Sequence, residues 1–275
     1  MYCKMMITDS HCHLASSRFA DDERGDIIER AVGAGVSRMV TLSTCLEDVP
    51  LNLKLAEHPS VMATIGIHPC DVHNAPDDAV ERLAAYAADP RVCAIGETGL
   101  DYFHSAPDGW EETDFRNRQR NFLRQHFELA ASSQLNIVIH TRDREGRGSF
   151  EDALEIYAAF SDRVRAVFHC FVSDWELAEK VISLGGLVSF GGVVTFKNAD
   201  LVKEVVKRCS AGNFMLETDS PYLAPEPLRG KRNEPAYTMK VAQFAAMLRG
   251  ETIEQLAAHT EAAAEMFFRW RDDSA

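Results

Sequence analysis

The segment Asp9-Ser10-His11-Cys12-His13 sets two imidazoles two residues apart. On extended backbone such positions point to the same side, so His11 and His13 can bind one metal ion together. Four further segments carry ligand-type side chains: Gly96-Glu97-Thr98-Gly99, His140-Thr141-Arg142-Asp143, His169-Cys170-Phe171 and Glu217-Thr218-Asp219-Ser220-Pro221. Glu97 can bridge two cations, His140 and His169 can serve the second, and Asp219 can complete the first and accept a proton from an attacking water. Two cations about 3.5–4 Å apart generate hydroxide and clamp a scissile phosphate or carbonyl. Four imidazoles and two carboxylates favour zinc or manganese, with magnesium left open. His68, in Gly66-Ile67-His68-Pro69, either touches substrate or caps a turn before Pro69. His58, His73, His104, His126 and His259 fall in helical or loop segments and read as surface or core residues. Cys12 and Cys170 stand beside ligands and read as small buried hydrophobes.

What must hold these residues is legible in the pattern around them. Short apolar, β-branched runs occupy residues 5–7, 39–42, 61–67, 92–95, 137–139, 166–168, 187–190 and 214–216. Amphipathic helical segments lie between them, for example Ile27, Ile28, Ala31 and Val32 on one face, and Trp175, Ala178, Val181 and Ile182 on another. The repeat averages about 30 residues, the size of a βα unit. Eight such units in one chain predict a single-domain (β/α)8 TIM barrel spanning residues 1–275, with helical segments 237–248 and 253–271 closing it. An open doubly wound sheet would carry a glycine-rich turn after strand one, where this chain reads DSHCH. Every candidate ligand then follows a strand, on the barrel face where active sites are built.

Seven cysteines without C-x-x-C spacing argue against a disulfide framework or zinc ribbon. No stretch has signal-peptide or membrane-span character, so a cytoplasmic protein without a membrane partner is expected, with a composition consistent with a monomer. The net charge of −13 disfavours tight, sequence-independent binding to nucleic acid.

Taken together, DSHCHL, GIHP, GETGLDYF, IHTRD, FHCF, GGVVTFKNA and LETDSPYLAP followed by RGKRNEP resemble the TatD family of metal-dependent deoxyribonucleases, within the amidohydrolase-like barrels. The motifs run from Asp9 to Pro235 in the family's order. The resemblance implies a TIM barrel that hydrolyses DNA phosphodiesters, most simply as a 3′–5′ exonuclease at strand ends or damaged sites. It also implies His11 and His13 on one metal, Glu97 as bridge, His140 and His169 on the other, and Asp219 as ligand and base. The loop Val172-Ser173-Asp174 departs from the family's usual FHCFSGS and places an acid near a site for phosphate.

A phosphate reader is consistent with Arg142, two residues past His140, and with Arg229, Lys231 and Arg232 after the eighth strand. Tyr102, Phe103 and Tyr222 flank ligand segments and can stack bases or pack under loops. Arg116, Arg118, Arg120 and Arg124 read as a solvated helix face, and Gln119 and Gln125 as structural. The same metal pair would also hydrolyse an acyl bond, such as a cyclic amide or an aminoacyl ester on tRNA; here Glu97 stands where related amidohydrolases often carry a carboxylated lysine. A metal-binding scaffold without activity is a third reading, disfavoured because every ligand position is filled. Much of the negative charge falls in helical segments such as Glu251, Glu254, Glu261 and Glu265, away from the motif-bearing loops. A short footprint on single-stranded DNA ends is therefore expected. The logarithm of oligonucleotide affinity should fall with the logarithm of salt at a slope corresponding to fewer than ~6 neutralised phosphates. Binding titrations across a salt series check this.

Overall fold

The computed structural model describes residues 6–269. Strands and helices alternate in the order β1 (Ile7–Cys12), α1 (Arg24–Ala34), β2 (Val36–Thr41), α2 (Val49–Leu55), β3 (Val61–Ile65), α3 (Ala79–Ala84), β4 (Val92–Tyr102), α4 (Glu112–Ser133), β5 (Asn136–Asp143), α5 (Gly148–Ala158), β6 (Ala166–Phe168), α6 (Trp175–Ser183), β7 (Leu187–Phe190), α7 (Asp200–Arg208), β8 (Phe214–Leu216), α8 (Thr238–Arg249) and α9 (Ile253–Phe268). Neighbouring strands pair in parallel in chain order, from β1 to β8. The result is the expected single-domain (β/α)8 barrel.

Side chains alternate between two packed layers, as strand geometry requires. Val40, Ala94, Val138, Val167, Leu187 and Met215 form one buried cluster together with Phe267 and Phe268 of α9. Met39, Ile95, Ile137, Ile139, Val188 and Leu216 pack instead into the larger cluster under the helices. The side-chain amide of Asn136, the first residue of β5, donates to the Phe267 carbonyl at 2.5 Å. The α9 helix therefore stoppers the end of the barrel opposite the ligand-bearing strand ends. Of the segment expected to be helical over 253–271, residues 270 and 271 lie outside the described part.

The first strand departs from the sequence expectation. Met5 lies outside the described residues, and the strand is Ile7–Cys12 rather than 5–7. Polar residues enter it because they close the barrel. The His11 carbonyl accepts from Asp219 N–H (2.9 Å), and His13 N–H donates to the Ser220 carbonyl (2.7 Å). Thr218 donates its N–H and hydroxyl to the Asp9 carboxyl at 2.8 and 2.6 Å. Burial pushes that carboxyl up to about 8, against the hydrogen bonds from Thr218 and His11 that pull it down.

Two register shifts aim candidate ligands inward. Along β1, Asp9 faces Met39 but Cys12 faces Thr41, so β1 gains one residue on its partner across His11. Along β4, Ile95 faces Ile137 but Thr98 faces Ile139, a second one-residue bulge that contains Glu97. Beyond it β4 continues, pairing with β5 as far as Tyr102 and Asp143. Gly99 makes that continuation possible: its φ is +149°, and a Cβ there would collide with the His140 carbonyl.

A buried histidine in α4 braces the mouth. His126 accepts the Ile67 N–H at Nε2 (3.1 Å), so its Nδ1–H donates to the Phe122 carbonyl (2.7 Å). Burial lowers its pKa from the ordinary 6.5 to about 4. Between those values the unfolded chain binds a proton that the native state refuses. Stability from this group is present above about pH 6.5 and is lost as pH falls toward 4, amounting to about 3 kcal/mol. His126→Leu should cost about 1–3 kcal/mol at neutral pH by orphaning the Ile67 N–H. The gap between wild type and variant should narrow from pH 6.5 to 4. Urea unfolding at a series of pH values measures it; a constant gap would refute the assignment.

Candidate metal centre

Six ligand-type side chains converge at the strand C-termini. His11 closes the bulge of β1 and His13 follows it; Glu97 sits in the bulge of β4; His140 lies in β5. His169 and Asp219 follow β6 and β8, the latter at φ +54°, a left-handed conformation rare outside glycine. Glu97 is the hub. Its Oε1 lies 2.9 Å from His169 Nε2 and 3.0 Å from His140 Nδ1. Its Oε2 lies 3.4 Å from both His11 Nε2 and His13 Nε2. Asp219 Oδ1 stands 3.4 Å from His13 Nε2 and 3.8 Å from His11 Nε2.

The chemistry of this donor set fits metal ions. His11 Nε2 and His13 Nε2 approach to 3.1 Å, and His140 Nδ1 and His169 Nε2 to 3.2 Å. Ring nitrogens facing each other at such distances share either a proton or a cation between them. Ligands 2.0–2.2 Å from a common zinc ion lie about 3.4 Å apart, close to the spacings here. Electrostatics agree. Burial alone would raise the Glu97 carboxyl, yet the imidazoles of His169, His68 and His11 hold it well below the usual range. Burial would lower His13, His140 and His169, yet facing carboxylates raise all three. The field thus holds positive charge at these positions, which divalent cations can replace.

Of the supporting shell, the sequence singled out Gln119, as structural, but not Asp101 or Glu217. Asp101 Oδ2 accepts from His140 Nε2 at 3.2 Å, which leaves Nδ1 facing Glu97, where a cation can take the place of its proton. Gln119 holds Asp101 in turn, accepting its N–H (2.9 Å) and donating to its carbonyl (3.2 Å). Glu217 accepts from Cys170 N–H (2.7 Å) and from the Ser189 hydroxyl (2.5 Å), and its Oε1 lies 3.6 Å from His169 Nδ1. The alternation Glu97, Gly99, Asp101 and the pair Glu217, Asp219 was the available signal, since residues two apart share a face. His68 accepts Cys70 N–H at Nδ1 (3.1 Å), which leaves its Nε2–H directed at Glu97 Oε1, 3.5 Å away. It is placed as a donor rather than a ligand.

Around these groups opens a cavity of about 920 Å³. His68, His104, Arg142, Cys170, Val172, Tyr222 and Leu223 belong to its lining. Arg142 lays its guanidinium over the Phe103 ring at 4.0 Å. Its walls also carry the carboxylates of Asp48, Asp71, Glu97, Asp101 and Asp219, whereas Arg142 is the one Lys or Arg among the described residues lining it. Several sequence-predicted substrate residues are absent from that wall. Arg232 forks onto Glu23 (2.5 and 2.8 Å) and donates to the Arg18 carbonyl. Arg229 stacks on Phe196 at 4.3 Å, and Lys231 is exposed and does not line the cavity. Tyr102 is buried, donates to Asp152 at 2.7 Å and carries the Arg116 guanidinium on its ring at 4.4 Å. Asp174, expected to add an acid to the site, caps α6 by accepting Leu177 N–H and pairs with Arg147. Arg118, expected on a solvated face, instead donates to the Val72 and Ala75 carbonyls. Cys12 is buried as expected, but Cys170 is partly exposed on the cavity wall.

Sequence comparison reports the same grouping. The profile of the family described as TatD related DNase matches residues 8–269. A metal-dependent hydrolase of Bacillus subtilis, YabD, is 34% identical over 96% of this chain and 99% of its own length. The 3′-5′ ssDNA/RNA exonuclease TatD of Salmonella typhimurium is 33% identical over 94% of this chain and 98% of its own. Among solved structures, the TatD homologue YJJV from Escherichia coli superposes with a TM-score of 0.85 at 25% identity, covering 98% of this chain and 99% of that one. With eight parallel strands and a ligand set at their C-terminal ends, the chain belongs to the TatD family of metal-dependent hydrolases.

Proposed function

We propose that this hydrolase cleaves phosphodiester bonds of DNA with two divalent cations, removing nucleotides from the 3′ end of single strands. One observation carries the reading: the two oxygens of Glu97 face two separate pairs of imidazole nitrogens. His11, His13 and Asp219 would hold one cation, His140 and His169 the other, and Glu97 would bridge. The nitrogen-rich donor set favours zinc or manganese. When bound, the cations polarise a phosphoryl oxygen and make water acidic enough to attack near neutral pH.

The chain's own residues then divide the work. Asp219, held ionised by His13 and His11 against the cost of burial, accepts the proton of the attacking water. His68 Nε2–H and the Arg142 guanidinium donate to non-bridging phosphate oxygens, where developing charge gains most in a desolvated site. Tyr222, 43% exposed beside His13, offers a ring face to the terminal base, with Val172 and Leu223 completing an apolar rim. The exonuclease name of the Salmonella relative supports the choice of substrate.

Purified protein stripped of metal and reloaded with zinc, manganese or magnesium should release mononucleotides from 5′-labelled single-stranded DNA. Asp219→Asn should lower kcat by roughly 10²–10⁴. Arg142→Ala should lower kcat/KM by ~10–100-fold, the worth of a charge-assisted contact. Arg232→Ala should stay within about twofold, because Glu23 already occupies that guanidinium. Absence of metal-dependent cleavage would sink the reading, as would cleavage surviving Asp219→Asn. Turnover of cyclic amides or aminoacyl esters but not DNA would replace it.

A further inference from the structure

Beside the proposed bridged centre stands a second group of donors, of which only Asp101, behind His140, has a part in the reading above. It joins Cys70, in the loop after β3, to Asp101 near the end of β4 and His104 just beyond it. His104 Nδ1 lies 3.6 Å from Cys70 Sγ and 3.1 Å from each oxygen of Asp101. One ligand atom from each residue falls within 4.8 Å of the other two. A sulfur at 2.3 Å and a ring nitrogen at 2.0–2.1 Å from one tetrahedral zinc ion would be about 3.5 Å apart. The observed sulfur–nitrogen distance matches that edge.

We propose that Cys70, Asp101 and His104 form a further binding site for a thiophilic divalent cation at the rim of the cavity, distinct from the bridged centre. Thiolate, imidazole and carboxylate together select zinc-like ions over magnesium or calcium. Three protein ligands leave a fourth position for water or a ligand oxygen. His104 keeps that position accessible, since its side chain is 52% exposed, while the Asp101 side chain is 1% exposed and accepts the Phe103 and His104 N–H groups. Binding exchanges the Cys70 thiol proton for the cation, and the proton leaves to solvent. Burial and the carboxylate of Asp101 push that thiol well up from its usual range, so without a cation it stays protonated and is a poor nucleophile.

Asp101 ties this site to the centre. Its Oδ2 also receives the His140 Nε2–H at 3.2 Å. A cation on Asp101 withdraws charge from the group that makes His140 basic, so occupancy at the rim weakens the grip of His140 on its own ion.

The test needs no substrate, so its failure is distinguishable from failure of the proposed DNA cleavage. Metal-free full-length protein is titrated with Zn²⁺ and, separately, with Co²⁺. One equivalent beyond those held by the bridged centre should bind with release of about one proton. With cobalt it should bring a thiolate-to-metal charge-transfer band. Cys70→Ser should abolish the extra equivalent, the proton and the band; His104→Ala should abolish the extra equivalent. Both should keep the remaining equivalents and the wild-type melting temperature of the metal-free form. Cys70→Ser preserves the backbone N–H that His68 accepts, so the cavity is left intact. An unchanged stoichiometry in both variants, or a band that survives Cys70→Ser, would overturn the proposal.

Discussion

Both oxygens of the Glu97 carboxylate are surrounded by imidazole nitrogens, five of them within 3.5 Å, in a place water scarcely reaches. An isolated carboxylate in such a position would be prohibitively desolvated. Its ionisation depends on positive charge in the surrounding histidines or in the cations that replace their protons. Much of the mouth of the barrel serves this arrangement. The bulge in β4 turns Glu97 inward, the bulge in β1 sets His11 opposite it, and Asp101 and Glu217 stand behind the rings of His140 and His169.

The closure of the barrel is part of the same arrangement. β8 is three residues long, and its link to β1 consists of an isolated bridge between Cys12 and Ser220 with the hydrogen bonds around it. Those bonds connect the backbone of His11 and His13 to that of Asp219 and Ser220. The seam that completes the barrel is therefore also the brace that brings together three side chains that could hold one metal ion. Disturbing it would cost stability and metal geometry at once, because the same backbone groups serve both.

The repeat of apolar runs and helical faces made the barrel legible, and the ligand types at the strand ends made the centre legible. What stayed hidden has physical causes. A one-residue bulge leaves no mark on hydrophobic periodicity, so the true extents of β1 and β4 could not be read. Asp101 and Glu217 looked like ordinary motif residues, because a supporting role depends on which ring nitrogen they face. Arg232 and Arg229 looked like phosphate contacts because a sequence shows charge but not partners. Glu23 and Phe196, far away along the chain, had already engaged them.

That last difference changes what the charge of −13 means for function. The sequence suggested a cationic mouth that would offset an acidic body. Instead the described cavity wall sets five carboxylates against the one guanidinium of Arg142 and the imidazoles of His13, His140 and His169, whose charge those carboxylates stabilise. On the proposed reading, each divalent cation would bring two positive charges to the point where the scissile group sits, in place of the protons on these rings. Metal loading would then govern substrate binding as well as chemistry. Attraction of this kind is strong over one phosphate and falls off within about a Debye length of 8 Å at physiological salt. Under the proposed activity, a wall built in this way would favour the end of a strand, where one phosphate is engaged, over a long duplex that needs many cationic contacts in register.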